Sequence, residues 1–114
     1  MNAGIELDHA TAARAFGDSY FNLLRRGADG SLTLSSDHWR LDEATPEVFR
    51  FSAREEGAPG LELFLGDVEC LLWDRLPRQH TRSQIRFKLA NGDLWTFSGK
   101  VDESALPDRL AEPG

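Results

Sequence analysis

Between Gly30 and Gly99 the chain is a succession of short segments in which apolar and polar residues alternate, each closed by a cluster of turn residues. "SLTLSS" places Leu32 and Leu34 on one face, and "HWRLD" does the same with Trp39 and Leu41. "VFRFSA" sets Phe49, Phe51 and Ala53 against Val48, Arg50 and Ser52. "GLELFLGD" sets Leu61, Leu63 and Leu65 against Glu62, Phe64 and Gly66, and "VECLLW" continues with Val68, Cys70 and Leu72. The separators "SSD", "DEATPE", "REEGAPG" and "GD" are rich in turn formers. Six or seven short strands at this spacing predict an α+β chain that is mainly antiparallel β, a two-sheet sandwich or partly open barrel.

The sharpest local signal is "IRFKLANGDLWTFSG", where Asn91-Gly92 marks a hairpin. A two-residue loop would pair Lys88 with Trp95 and Arg86 with Phe97, leaving two aromatics on a charged face. A three-residue loop, Ala90-Asn91-Gly92 with Gly92 left-handed, pairs Phe87 with Trp95 and Ile85 with Phe97. Burying two aromatics at roughly 25 cal/mol per Å² is worth several kcal/mol, which decides for the three-residue loop and its bulge. Arg86, Lys88, Thr96 and Ser98 then face outward.

The ends read differently. Residues 8–26 carry Phe16, Tyr20, Leu23 and Leu24 as one helical stripe behind a possible Asp8 cap, at the cost of about 1 kcal/mol for Gly17. The alternative for "SYFNLLRR" is a first strand that turns at "GADG", with the helix ending at Gly17. The helical reading gives an N-terminal segment, 1–27, ahead of a β domain, 28–114. At the other end Asp102 can cap a short helix that carries Leu106 and Leu110, with Pro107 in its first turn.

This order of elements resembles the pleckstrin-homology (PH) superfold, including GRAM and bacterial PH-like domains. "GSLTLSS" is similar to that family's opening strand, "LFLGDVECLLW" to its central segment and "LANGDLWTF" to its late hairpin, over about residues 28 to 112. The resemblance implies seven strands in two near-orthogonal sheets, with an open corner plugged by a C-terminal helix. It also implies a binding module, not a catalyst. The basic phosphoinositide motif of lipid-binding members has no counterpart, since "LTLSSDHWRLD" offers only Arg40, beside Asp37 and Asp42.

Composition narrows the function classes. A net charge of −6 and the lack of interleaved basic and aromatic motifs argue against nucleic acid. With no membrane-length apolar run and no signal-peptide pattern, a cytoplasmic location is expected. Cys70 is the single cysteine and reads as a small core hydrophobe. His9, His38 and His80 lack metal-ligand spacing, and the Ser, Asp and His of "SSDH" sit on adjacent residues that point apart, so no enzyme, cofactor or metal is expected.

Against this acidic background "WDRLPRQHTRSQIRFK" holds Arg75, Arg78, Arg82, Arg86 and Lys88 with one acid, Asp74. Its plainest reading is a solvated hairpin end that keeps an edge strand soluble. The sharper readings are an acidic protein partner or anionic lipid headgroups. Lipid at about 1 kcal/mol per cation gives only marginal binding. Trp73 reads as core, unless Val68, Cys70 and Leu72 face inward; in that phase Leu71 and Trp73 form an outward apolar patch beside Arg75. The expectation is therefore a module that binds a protein partner or its own copy, through a strand edge or the Trp73 to Arg82 surface.

Overall fold

The start of the chain sets the fold, because it contributes both a plug and a central strand. The computed structural model describes residues 5–75 and 83–106, apart from the side chains of Ser36, Asp37 and Arg75. After β1 (Ile5–Glu6), α1 runs over His9–Phe16. The Asp8 carboxylate accepts from the Thr11 N–H at 2.7 Å and caps it, as the sequence suggested. Gly17 then takes φ +56°, where a side chain is disfavoured, and ends the helix. The expected helix over residues 8–26 is therefore corrected. Residues 21–26 form strand β2 (Phe21–Arg26), with Phe21 and Leu23 facing the core and Leu24 outward. The division at 27/28 falls in the turn between two strands of one sheet.

The remaining strands are β3 (Leu32–Ala44), β4 (Val48–Ala53), β5 (Leu61–Phe64), β6 (Val68–Arg75), β7 (Ser83–Leu89) and β8 (Leu94–Gly99). They form one eight-stranded sheet in the order β1-β6-β7-β8-β2-β3-β4-β5, every pairing antiparallel. Among the described residues no pairing joins β1 to β5, so the sheet stays open. It coils instead around α1. Phe16 is fully buried and meets Phe21 at 5.0 Å, Phe97 at 5.3 Å, Phe51 at 5.5 Å and Phe87 at 6.1 Å. Those rings come from β2, β8, β4 and β7, so one side chain ties both wings of the sheet together. No helix among the described residues is long and apolar enough to cross a membrane.

Several expectations hold. Phe87 pairs with Trp95 and Ile85 with Phe97, and Gly92 closes the three-residue loop at φ +98°. Phe49, Phe51, Leu63 and Leu65 are buried while Arg50, Glu62 and Phe64 are exposed, as the alternation assigned to those strands requires, except that Val48, placed on the outer face, is buried.

Two other assignments change. "SLTLSS" and "HWRLD" are one 13-residue strand, not two, because "SSD" forms a register shift in β3 instead of a turn. In β6 the phase is reversed: Leu71 and Trp73 are 2% and 5% exposed, whereas Cys70 and Leu72 are half-buried. The cause lies at the start of the strand. A 3₁₀ turn at Leu65–Asp67 precedes it, and the register slips between Val68 and Cys70. Asp102 does cap, but the described turn is a short 3₁₀ segment, Glu103–Ala105. The expected C-terminal helix beyond Leu106 lies outside the described residues.

Candidate interaction surface

The outer face of the sheet is ordered by the two hairpins that close it. β7 and β8 join through Ala90-Asn91-Gly92, with Leu89 N–H donating to the Asp93 carbonyl at 2.9 Å. β2 and β3 join in the same way: Gly27 N–H donates to the Ser31 carbonyl at 2.9 Å, and Gly30 sits at φ +91°. The two turns lie side by side, since the Asp93 carboxylate accepts from the Ala28 N–H at 3.0 Å. The Asp29 carboxylate accepts from the Ser31 N–H, which holds its pKa below the usual carboxylate value. A pair of braced hairpins thus fixes β7, β8, β2 and β3 in register.

On that face the basic window is only partly assembled. Arg86 and Lys88 do point away from the core on β7, as expected. Arg86, however, pairs with Asp74 of β6 at 3.4 Å, both side chains being about three-quarters buried (25% and 30% exposed). Its charge is met within the protein. Lys88 is exposed and lies opposite Leu94 and Cys70. Trp73 packs in the core and is no part of a surface, which removes the outward patch considered for it. Arg78, Arg82 and His80 lie outside the described residues, as does the side chain of Arg75.

What the face presents instead is leucine. Leu24, Leu32 and Leu34 are 38%, 60% and 64% exposed. Leu24 lies directly opposite Leu34, and Arg26 opposite Leu32, across β2 and β3. On the other side of β2, Leu24 faces Thr96 and Arg26 faces Leu94, which is half-buried. The leucines are therefore neighbours on one face, not scattered singles. Isolated exposed leucines are ordinary, whereas a contiguous apolar patch marks an interaction surface.

The patch reaches a strand edge. β4 pairs with β3 only from Trp39 to Ala44, so among the described residues nothing pairs with the outer side of residues 32–35. Natural edges are usually protected by charge, proline or shortness. β5, the terminal edge of the sheet, is short and carries Glu62, which pairs with Arg50 at 2.8 Å. That contact and a second one to Glu43 raise the Arg50 pKa. "SLTLS" has none of these devices. The sequence held a usable signal: once residues 21–26 are a strand with Leu23 inward, Leu24 must face out beside whatever β3 presents.

Concave regions also lie on the described surface. One of about 540 Å³ lies beside β4 and the 55–60 loop, lined by Arg50, Glu55, Glu56 and Glu62 among others. A more apolar cleft of about 420 Å³ separates α1 from the β3–β4 turn, at Ala10, Ala13, Pro46 and Phe49. A third, about 570 Å³, lies between the end of α1 and residues 100–103. Among the described residues no group of His, Cys, Asp and Glu has a metal-binding arrangement. Comparison with protein families, curated proteins and solved structures finds no match to the chain.

Proposed function

We propose that this chain is a non-enzymatic binding module of PH-like architecture that works in the cytoplasm. It engages a protein partner through the outer face of β2 and β3. The observation that carries this reading is the contiguous set Leu24, Leu32 and Leu34 beside a strand edge that no described residue pairs. Burying such leucines is worth about 1.5–3 kcal/mol for each fully covered side chain. A rim of Arg26 and Lys88 would favour acidic groups on the partner's margin.

Support for the PH-like architecture is the chain order of seven main strands in antiparallel succession around an open corner. The plug described here is the N-terminal α1, a departure from the C-terminal helix of the resemblance. Binding of anionic lipid headgroups through residues 75–88 is the weaker alternative, because Arg86 is already neutralised by Asp74. Each cation removed takes away about 1 kcal/mol from a marginal total.

The test is affinity purification from cells of the wild type beside a Leu24→Lys, Leu34→Lys variant. A partner retained by the wild type and lost by an equally folded variant, then reconstituted from purified components, supports the reading. Identical retention by both overturns it.

A further inference from the structure

We infer that the occupant of this surface is a second copy of the chain, added edge to edge through residues 31–35 of β3. This rests on the proposed binding role of the leucine face and names its partner. The segment reads Ser31-Leu32-Thr33-Leu34-Ser35, the same forwards and backwards. Antiparallel pairing about a two-fold axis reverses one strand against its twin, so a palindrome meets itself residue for residue. Centred on Thr33, it sets Leu32 against Leu34 of the other copy, Thr33 against Thr33 and Ser31 against Ser35. Like chemistry meets like chemistry at every position.

Backbone geometry selects the same register. The Gly27–Ser31 hydrogen bond closes the β2–β3 hairpin, and antiparallel pairs alternate from there between bonded and non-bonded. Arg25↔Thr33 is thus a bonded pair, and Thr33 spends its N–H and C=O on β2. Leu32 and Leu34 lie in non-bonded pairs with Arg26 and Leu24, so their N–H and C=O point to the open edge. In the Thr33-centred dimer Leu32 and Leu34 of opposite copies exchange those hydrogen bonds, while the Thr33 pair is non-bonded. On the outer face the leucines of both copies merge into one stripe, backed by Leu24 on each side.

Charge permits the approach. The chain carries −6, yet residues 31–35 contain no charged group; the nearest acids along the chain, Asp29 and Asp37, lie two residues beyond its ends and make the contact salt-dependent. Another edge-binding peptide would satisfy the backbone but would lack the reciprocal leucine match. One strand edge and three leucines make a small contact beside the roughly 800 Å² per partner of a stable complex. The dimer is accordingly weak and concentration-dependent.

The test combines sedimentation equilibrium, from micromolar to millimolar chain, with disulfide trapping in a Cys70→Ser background. Across a non-bonded antiparallel pair the Cα atoms lie ~4.5 Å apart, within disulfide range. Thr33→Cys should therefore oxidise to a covalent dimer, whereas Ser35→Cys should not, since its counterpart is Ser31. The wild-type mass should rise from 12.7 kDa toward twice that value. Leu34→Pro, which deletes an edge N–H and leaves the β2 ladder intact, should hold the monomer at unchanged melting temperature; Leu34→Lys should do the same.

A monomer at every concentration with no trapping overturns the proposal. So does a mass rise that Leu34→Pro and Leu34→Lys leave untouched, which would move the contact elsewhere. Equal trapping at positions 33 and 35 overturns the register. If the purified chain stays monomeric but still binds a different purified protein through the leucine face, self-pairing fails and the binding role stands. If it binds neither, both fail.

Discussion

Removing one ring should measure how far the open sheet depends on its plug. Phe16 is fully buried at the end of an eight-residue helix, and its ring lies within 5.0–6.4 Å of five other phenylalanines. Phe→Ala substitutions in cores cost about 3–5 kcal/mol. Aromatic pairs add about 0.5–1.5 kcal/mol each beyond their buried area, and that part is not additive within one cluster. A closed barrel would share such a loss among strands hydrogen-bonded all round. Here the wings carrying β4 and β7 meet through the core, so the upper part of the range applies: about 4–5 kcal/mol. Domains of this size are stable by about 5–15 kcal/mol, so Phe16→Ala should sit close to unfolding. Urea titration followed by tryptophan fluorescence would show the midpoint falling by about 2 M, at a slope near 2 kcal/mol per M. Phe16→Leu, which keeps most of the volume, should recover more than half of the loss. A cost below about 1 kcal/mol for the alanine variant would refute the account of α1 as the element that holds the wings together.

Other substitutions probe single contacts. A Cβ added at Gly99 would stand 2.6 Å from Phe21 Cδ2, so Gly99→Ala should cost about 1–3 kcal/mol in a thermal melt; an unchanged melting temperature would show that Phe21 can move aside. Gly92→Ala meets φ +98° and the Ala28 methyl at 3.0 Å, and should lose about 1–2 kcal/mol, read in the same assay. Asp8→Ala removes the α1 cap at a cost of about 0.5–2 kcal/mol near neutral pH. Hydrogen bonds from Thr11 lower the folded-state pKa of Asp8, so its contribution is complete above the ordinary carboxylate pKa and disappears as pH falls through the lowered value. The gap between wild type and Asp8→Ala should narrow on acidification, and a gap that widens would contradict the cap. Asp74→Asn should leave anionic-vesicle binding at background in co-sedimentation if the basic window is structural; strong binding would restore the lipid reading by freeing Arg86.

What could be read from sequence depended on whether one interaction outweighed its alternatives. The 85–97 hairpin was legible because only one loop length buries Phe87, Trp95, Ile85 and Phe97 together, and that is the observed register. β4 and β5 were legible for the same reason, having two phenylalanines or two leucines on a single face. Residues 8–26 were not, since Phe16, Tyr20 and Leu24 fit a helical stripe as well as they fit a break at Gly17. Only the packing of Phe21 and Leu23 inside the sheet decides for the strand. β6 was misphased because the alternation starting at Val68 was carried straight through Cys70 and Leu72, while a register slip between Val68 and Cys70 exchanges the faces beyond it and turns Leu71 and Trp73 inward. Arg86 was legible as outward but not as paired, because Asp74 reaches it across strands and not along the chain.

The leucine face escaped for a different reason, and that reason bears on its role. Alternation in "SLTLSS" identifies a strand with one apolar face, and apolar faces are assigned to the core by default. In this fold Thr33 on the inner side of β3 is itself exposed, and Arg25 opposite it lies over the Trp95 ring at 4.5 Å, so this end of the strand runs past the core. The leucines are consequently left on the far side, where they add nothing to the monomer's core. A surface strand under no other demand would be expected to carry threonine, lysine or glutamate at those positions. Two leucines at 60% and 64% exposure, on an uncharged edge with no pairing strand among the described residues, reverse that expectation at both positions. Folding of the single chain makes little use of them, so association is the demand we propose for them, with the palindrome around Thr33 as the ground for naming a second copy.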